Sequence, residues 1–154
     1  MKTIQKAILS GILFVMTLAV NTLGGLGLFN GLSQKDISDR FPTQITPSSS
    51  TFGIWGLIYT LLIVSVLLLI LKSDDAYYSD ATNKISKLFA ISNLLNMGWI
   101  VAFSFVQIEL SSIFIIGFVI TLALICLELL KIVCCCKIKW FSVKSPKSLK
   151  ANYV

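Results

Sequence analysis

Charged residues interrupt the chain at only a few places, leaving charge-free runs at 7–34, 41–71, 88–108 and 110–127. Each run is close to the ~20 apolar residues that cross a bilayer core. Trimmed at their polar ends, they predict helices over Ala7–Phe29, Phe52–Leu71, Leu88–Val106 and Ile113–Val133. No alternating apolar–polar pattern recurs, so a transmembrane β-barrel is not supported. The expected fold class is all-α: a polytopic integral membrane bundle of four transmembrane helices, at residues 1–133. Residues 30–51 read as one long loop and 72–87 as a short polar connection. The QIELSS stretch at 107–112 reads as a tight hairpin that makes the last two helices antiparallel neighbours. Residues 134–154 read as a basic cytoplasmic tail with no span left in it.

Composition sharpens this picture. Of 154 residues 56% are hydrophobic and 13% charged, too little polar surface to wet the outside of a soluble domain. The formal charge of +6 is a matter of membrane orientation rather than of nucleic-acid binding. Lys2, Lys6, Lys72, Lys84, Lys87, Lys131, Lys137, Lys139, Lys144, Lys147 and Lys150 fall on one side of the predicted spans. Only Lys35 and Arg40 fall on the other. This bias places both termini in the cytoplasm or its topological equivalent, as an even number of spans requires. The first apolar run is also too long for the h-region of a cleaved signal peptide, so a retained helix is expected.

The chemistry available is narrow. The chain has no histidine, so a serine or cysteine triad has no base and a catalytic zinc site lacks its usual imidazoles. No phosphate-binding glycine loop is present. Glu128 is the one acid near membrane depth, and Lys131, three residues on, makes an interfacial ion pair the simpler reading than ion transport. A catalyst or ion pump is not expected, nor is a cofactor or metal.

Aromatic and amide spacing is more informative. Phe52, Trp55 and Tyr59 share one helical face, and Asn96, Trp99 and Phe103 repeat the same spacing one span later. Turned inward, the two faces would wall a flat apolar pocket carrying indole N–H groups, a phenol and an amide. Turned to the interface or to each other, they would be an aromatic belt with a polar clamp between helices. Asn96 lies nine residues into its predicted span and Trp99 deeper still, which argues against a belt for those two.

The residues Asn21, Asn30–Gly31, Ile37–Ser38–Asp39, Phe41–Pro42, Thr46–Pro47 and the FGIWGLIY run Phe52–Tyr59 resemble, in order and spacing, the translocator protein family (peripheral benzodiazepine receptor or tryptophan-rich sensory protein). The LLNMGWIVAFSF run at 94–105 resembles that family's third helix. The likeness covers residues 21–106. It implies a membrane helix bundle, often dimeric, whose pocket binds porphyrins, sterols or drug-like aromatics under a long loop. It places Trp55 and Tyr59 in that pocket from the second span, Asn96 and Trp99 from the third, and Pro47 at the loop's entry to the second span. The family has five spans, whereas this sequence supplies four. SPKSLKANYV stands where the fifth would begin, Ser48–Ser49 replace the usual Ala-Gly, and only three tryptophans occur. A truncated or diverged paralogue is therefore expected, with sterol recognition the property most in doubt.

Cys134, Cys135 and Cys136 beside lysines suit reversible acylation; as soft-metal ligands they lack further Cys or His partners nearby. Two functions follow. One is a non-enzymatic translocator-like protein that binds a flat hydrophobic ligand such as a porphyrin, through Pro47, Phe52, Trp55, Tyr59, Asn96, Trp99 and Phe103. The other is a ligand-free structural or regulatory subunit. The partners expected are the lipid bilayer, a small hydrophobic ligand, and a second copy or another membrane protein.

Overall fold

The computed structural model describes residues 2–41 and 53–144, with side chains described as far as Cys134. The described residues form five helices: α1 Thr3–Gly25, α2 Gln34–Arg40, α3 Ile54–Leu71, α4 Ala76–Ser104 and α5 Ile108–Lys144. Four of them are long and apolar enough to cross a membrane, namely α1, α3, α4 and the Ile108–Cys134 part of α5.

Helix α1 runs parallel to α4 and is joined to it at three levels. Near one end Lys6 Nζ donates to Asn83 Oδ1 at 2.7 Å, and the Thr3 and Ser79 hydroxyls are 3.3 Å apart. Mid-span, the Thr17 hydroxyl donates to Asn93 Oδ1 at 2.8 Å, both residues being buried. Near the other end, a Cβ on Gly24 would lie only 2.7 Å from Ile100 Cγ2, so the missing side chain lets the helices close. Polar atoms in hydrocarbon must find partners, and short side chains on facing helices supply them without pushing the backbones apart. Thr17→Val strands Asn93 Oδ1 and is expected to cost roughly 0.6–1.7 kcal/mol, the range for such bonds in bilayers. Reversible unfolding in mixed micelles measures it, and an unchanged midpoint would show the bond to be idle.

Helix α5 packs antiparallel along α4, where the Phe114 ring covers Gly98 and Leu95 reaches Gly117. Helix α3 rests mainly on α1 and touches α4 lightly, with only 6% of its spanning window buried. Helices α1, α3 and α4 therefore touch one another, and α5 is held by α4.

Element boundaries depart from the sequence expectations in four places. The first helix ends at Gly25, not residue 29. Its last carbonyls are closed by Gly27 N–H to the Gly24 oxygen and Leu28 N–H to the Leu23 oxygen, with Gly27 at φ 71°. The 30–51 loop contains α2. The third span begins at Ala76, not 88, because Asp75 caps it by accepting from Tyr77 N–H at 2.8 Å. The hairpin expected at 107–112 is mostly the first turns of α5, which continues to Lys144, past the residue-133 boundary.

The turn before α5 closes as α1 does, with Val106 N–H to the Phe103 oxygen and Gln107 N–H to the Ala102 oxygen. Here a β-branched residue holds the left-handed position, Val106 at φ 59°. Val106→Gly is expected to raise stability by about 1 kcal/mol, seen as a higher unfolding midpoint.

Candidate ligand-binding site

The FGIWGLIY segment places Trp55 and Tyr59 one turn apart on the first two turns of α3, where their rings stack at 5.9 Å with planes 27° apart. Trp99 of α4 stacks on the other neighbour of this pair. Its ring centroid is 5.8 Å from that of Trp55 at 28°, and Phe103 continues the series at 6.1 Å. The four aromatics thus form one ladder, Tyr59–Trp55–Trp99–Phe103, that bridges α3 to α4. Offset aromatic contacts of this kind add about 0.5–1.5 kcal/mol each beyond the area they bury.

The ladder fills the space between α3 and α4 in which a ligand was expected to lie. The open space is on its other side. A cavity of about 320 Å³ is bounded by Trp55 and Tyr59, by Leu18, Asn21, Thr22 and Gly25 of α1, and by Gln34 and Lys35 of α2. Asn96, Trp99 and Phe103 are not on its wall. They buttress the aromatic wall from behind. Pro47, expected at the loop's entry, and Phe52, expected on the aromatic face, lie outside the described residues.

Because α4 ends at Ser104, Trp99 is five residues and Asn96 eight residues from its end. Asn96 is buried and lies beside the Tyr59 hydroxyl. Yet neither Tyr59 Oη nor Asn96 Oδ1 has a hydrogen-bond partner. Two buried polar atoms without partners are costly in an apolar surrounding. Asn93 makes a polar clamp of its own, between α1 and α4.

Helix α2 forms the lid of this cavity and was the element least visible in the sequence. Ser33 and Asp36 make a reciprocal cap: Ser33 Oγ accepts from Asp36 N–H at 3.2 Å, and Asp36 Oδ2 accepts from Ser33 N–H at 2.9 Å. Ile37, fully buried, pins α2 onto α1 and α4. Gln34 and Lys35 then reach the cavity from the turn before Ile37. Only the Ser-x-x-Asp spacing at 33–36 could have announced them. The Lys35 amine also sits 3.9 Å from Asp39, an exposed pair of little energetic weight.

Hydrogen bonds from the Ser33 side chain, then from its backbone N–H, hold the Asp36 carboxyl below its ordinary value of 3.8. A carboxyl depressed on folding stabilises the structure above its unfolded pKa, and that contribution is lost as pH falls through the folded one. Loosening of α2 is therefore expected only below about pH 3.8, as faster amide exchange at Ile37 that Ser33→Ala brings on at higher pH.

At the other end of the molecule Glu128 and Lys131 are paired at 2.6 Å. The Cys134 side chain is exposed on α5, and those of Cys135 and Cys136 lie outside the described residues.

A protein-family model described as TSPO-like protein matches residues 7–149. No curated protein and no solved structure matches the chain.

Proposed function

We infer function from two premises: the chain belongs to the TSPO-like protein family, and its aromatic ladder walls a cavity under a short lid helix. Membership and the four spanning helices make it an integral, multi-pass membrane protein of the translocator type. The finer reading is ours. The protein captures a flat, hydrophobic aromatic molecule of the porphyrin kind against Trp55 and Tyr59, and performs no chemistry on it. The observation that carries this is the cavity's two-sided character. One wall is the aromatic pair Trp55 and Tyr59, backed by further aromatics; the rest includes two amides, a hydroxyl and an amine, from Asn21, Gln34, Thr22 and Lys35. Planar heteroaromatics with polar edges match that division. About 320 Å³ lies at the small end of ligand pockets, so a large macrocycle would insert one edge rather than enter whole.

Titration of the detergent-purified protein with protoporphyrin, followed by tryptophan fluorescence, tests the reading. Saturable quenching that depends on Trp55 and persists in Trp140→Phe supports it. Quenching that never saturates, or that is the same in all variants, removes it.

A second reading has its own observation. Helix α3 buries so little of itself that a partner chain could cover it. On that reading the protein is a ligand-free subunit, and substitutions in the ladder disturb assembly, visible by cross-linking in membranes, without any affinity to lose.

A further inference from the structure

A small groove lies between α1 and α4, near the end of the bundle that also carries Lys2, Lys72 and Lys131. Leu9 and Leu13 of α1 and Ala90 of α4 give it an apolar floor, and Lys6 and Lys87 form part of its wall. At about 160 Å³ it falls well below the ~300 Å³ at which pockets begin to take a whole small ligand. It suits a long molecule of which only one stretch is covered.

The two lysines differ in level and in what holds them. Lys6 is half-buried, and its Nζ donates to Asn83 Oδ1 at 2.7 Å, which fixes one cation at the groove. That amine has three N–H groups, so two stay available. Lys87 stands four residues beyond Asn83 on α4, about 6 Å further along at 1.5 Å per residue. The pairing of Thr3 with Ser79, Lys6 with Asn83 and Thr17 with Asn93 sets Lys87 level with Ser10 or Gly11, inside the charge-free run of α1.

Lys87 is exposed and makes no ion pair among the described residues. Asp80, the acid nearest to it in sequence, is paired with Lys84 at 2.9 Å, and Glu128 of α5 with Lys131 at 2.6 Å. A lysine at apolar depth needs an anion, or must extend its stem to the membrane boundary. Helical side chains lean toward the N-terminus of their helix, and α1 and α4 both begin at this end. Both stems therefore carry their ammoniums toward the same boundary.

We propose that this groove binds one anionic phospholipid. Its phosphate is held between Lys6 and Lys87, and the first stretch of one acyl chain lies along Leu9, Leu13 and Ala90. Basic pockets between spanning helices are where acidic headgroups gather. A second copy of the chain suits the groove less well, because a twofold contact through this face would set lysines against lysines.

Native mass spectrometry of the detergent-purified protein, titrated with phosphatidylglycerol and with phosphatidylcholine, tests this. One phosphatidylglycerol is expected to be retained at least tenfold more tightly than phosphatidylcholine. Lys87→Gln should weaken phosphatidylglycerol retention by about fivefold, and Lys6→Gln added to it should erase the preference. Lys87 bonds to nothing else in the fold, so the single variant answers the question even if the double one misfolds. Lys72→Gln, at the same end but off the groove, should change nothing. Ala90→Trp, which fills the apolar floor, should abolish the single bound lipid with all lysines in place. Equal retention of the two lipids would overturn the proposal. So would a loss in Lys72→Gln as large as in Lys87→Gln, which would show diffuse surface charge, or full retention in Ala90→Trp, which would show a headgroup contact without a groove. A dimer that Ala90→Trp dissociates would give the face to a second copy instead.

Discussion

Trp55→Ala is expected to weaken binding of protoporphyrin at least tenfold while the bundle stays folded. Trp55 is the one residue that both borders the cavity and stacks against two other rings, Tyr59 and Trp99. Removing it deletes the larger of the two aromatic side chains on the cavity wall and unlinks the ladder in the same step. Each aromatic contact is worth about 0.5–1.5 kcal/mol, and about 1.4 kcal/mol is a factor of ten in affinity. Trp99→Ala removes a buttress rather than the wall, so a loss of only a few fold is expected. Because α1, α4 and α5 are held together elsewhere, circular dichroism and the unfolding midpoint should change little in either variant. The ordering of the two effects is what matters. Equal losses would mean that the ligand sits between α3 and α4 after all, with the ladder parting to admit it.

The second large effect is expected at Gly27. Its φ of 71° costs a residue bearing a Cβ roughly 1–2 kcal/mol. A Cβ there would also meet the Leu32 carbonyl carbon at 2.9 Å and the Ser33 nitrogen at 3.0 Å, both backbone atoms that no side-chain rotation can clear. Ser33 caps α2, so Gly27→Ala displaces the lid helix together with Gln34 and Lys35. The expected outcome is lower stability combined with weaker ligand binding. Gly31 supplies the comparison: its φ is 69°, but nothing lies within 4 Å of the added atom. Gly31→Ala should therefore cost stability alone. If both substitutions weaken binding equally, the lid position is not what the cavity depends on.

These expectations show what was legible in the sequence. The four spans could be read because a bilayer tolerates few charges, and the gaps between charges mark them directly. Their ends could not, because helix ends depend on local caps. Asp75 and Gly27 move two boundaries by several residues. The segment 76–87 is polar and yet helical, since Ala81, Thr82 and Ile85 are buried within the fold. Trp55 and Tyr59 were visible from spacing, and Trp99 from the same spacing in the next span. Spacing puts residues on one helical face, but not on one side of a neighbouring ring. The aromatics of α4 stack behind Trp55 and do not border the cavity among α1, α2 and α3. Gln34 and Lys35 were hidden because they reach the cavity only through the folding of a seven-residue helix inside an apparent loop.

Helix α3 carries both aromatic residues of the cavity wall, and it is also the spanning helix with the least of itself held by its neighbours. Such a wall is compliant. Little interaction energy resists a small tilt of α3 about its contact with α1, so the cavity has no single fixed width and the ladder acts as its spring. On the function proposed above, the stiffness of that spring, set by the Trp55–Trp99 contact, would govern how long a captured molecule stays at least as much as how tightly it fits. Residence time is then the property through which changes on α4, remote from the cavity itself, would be felt.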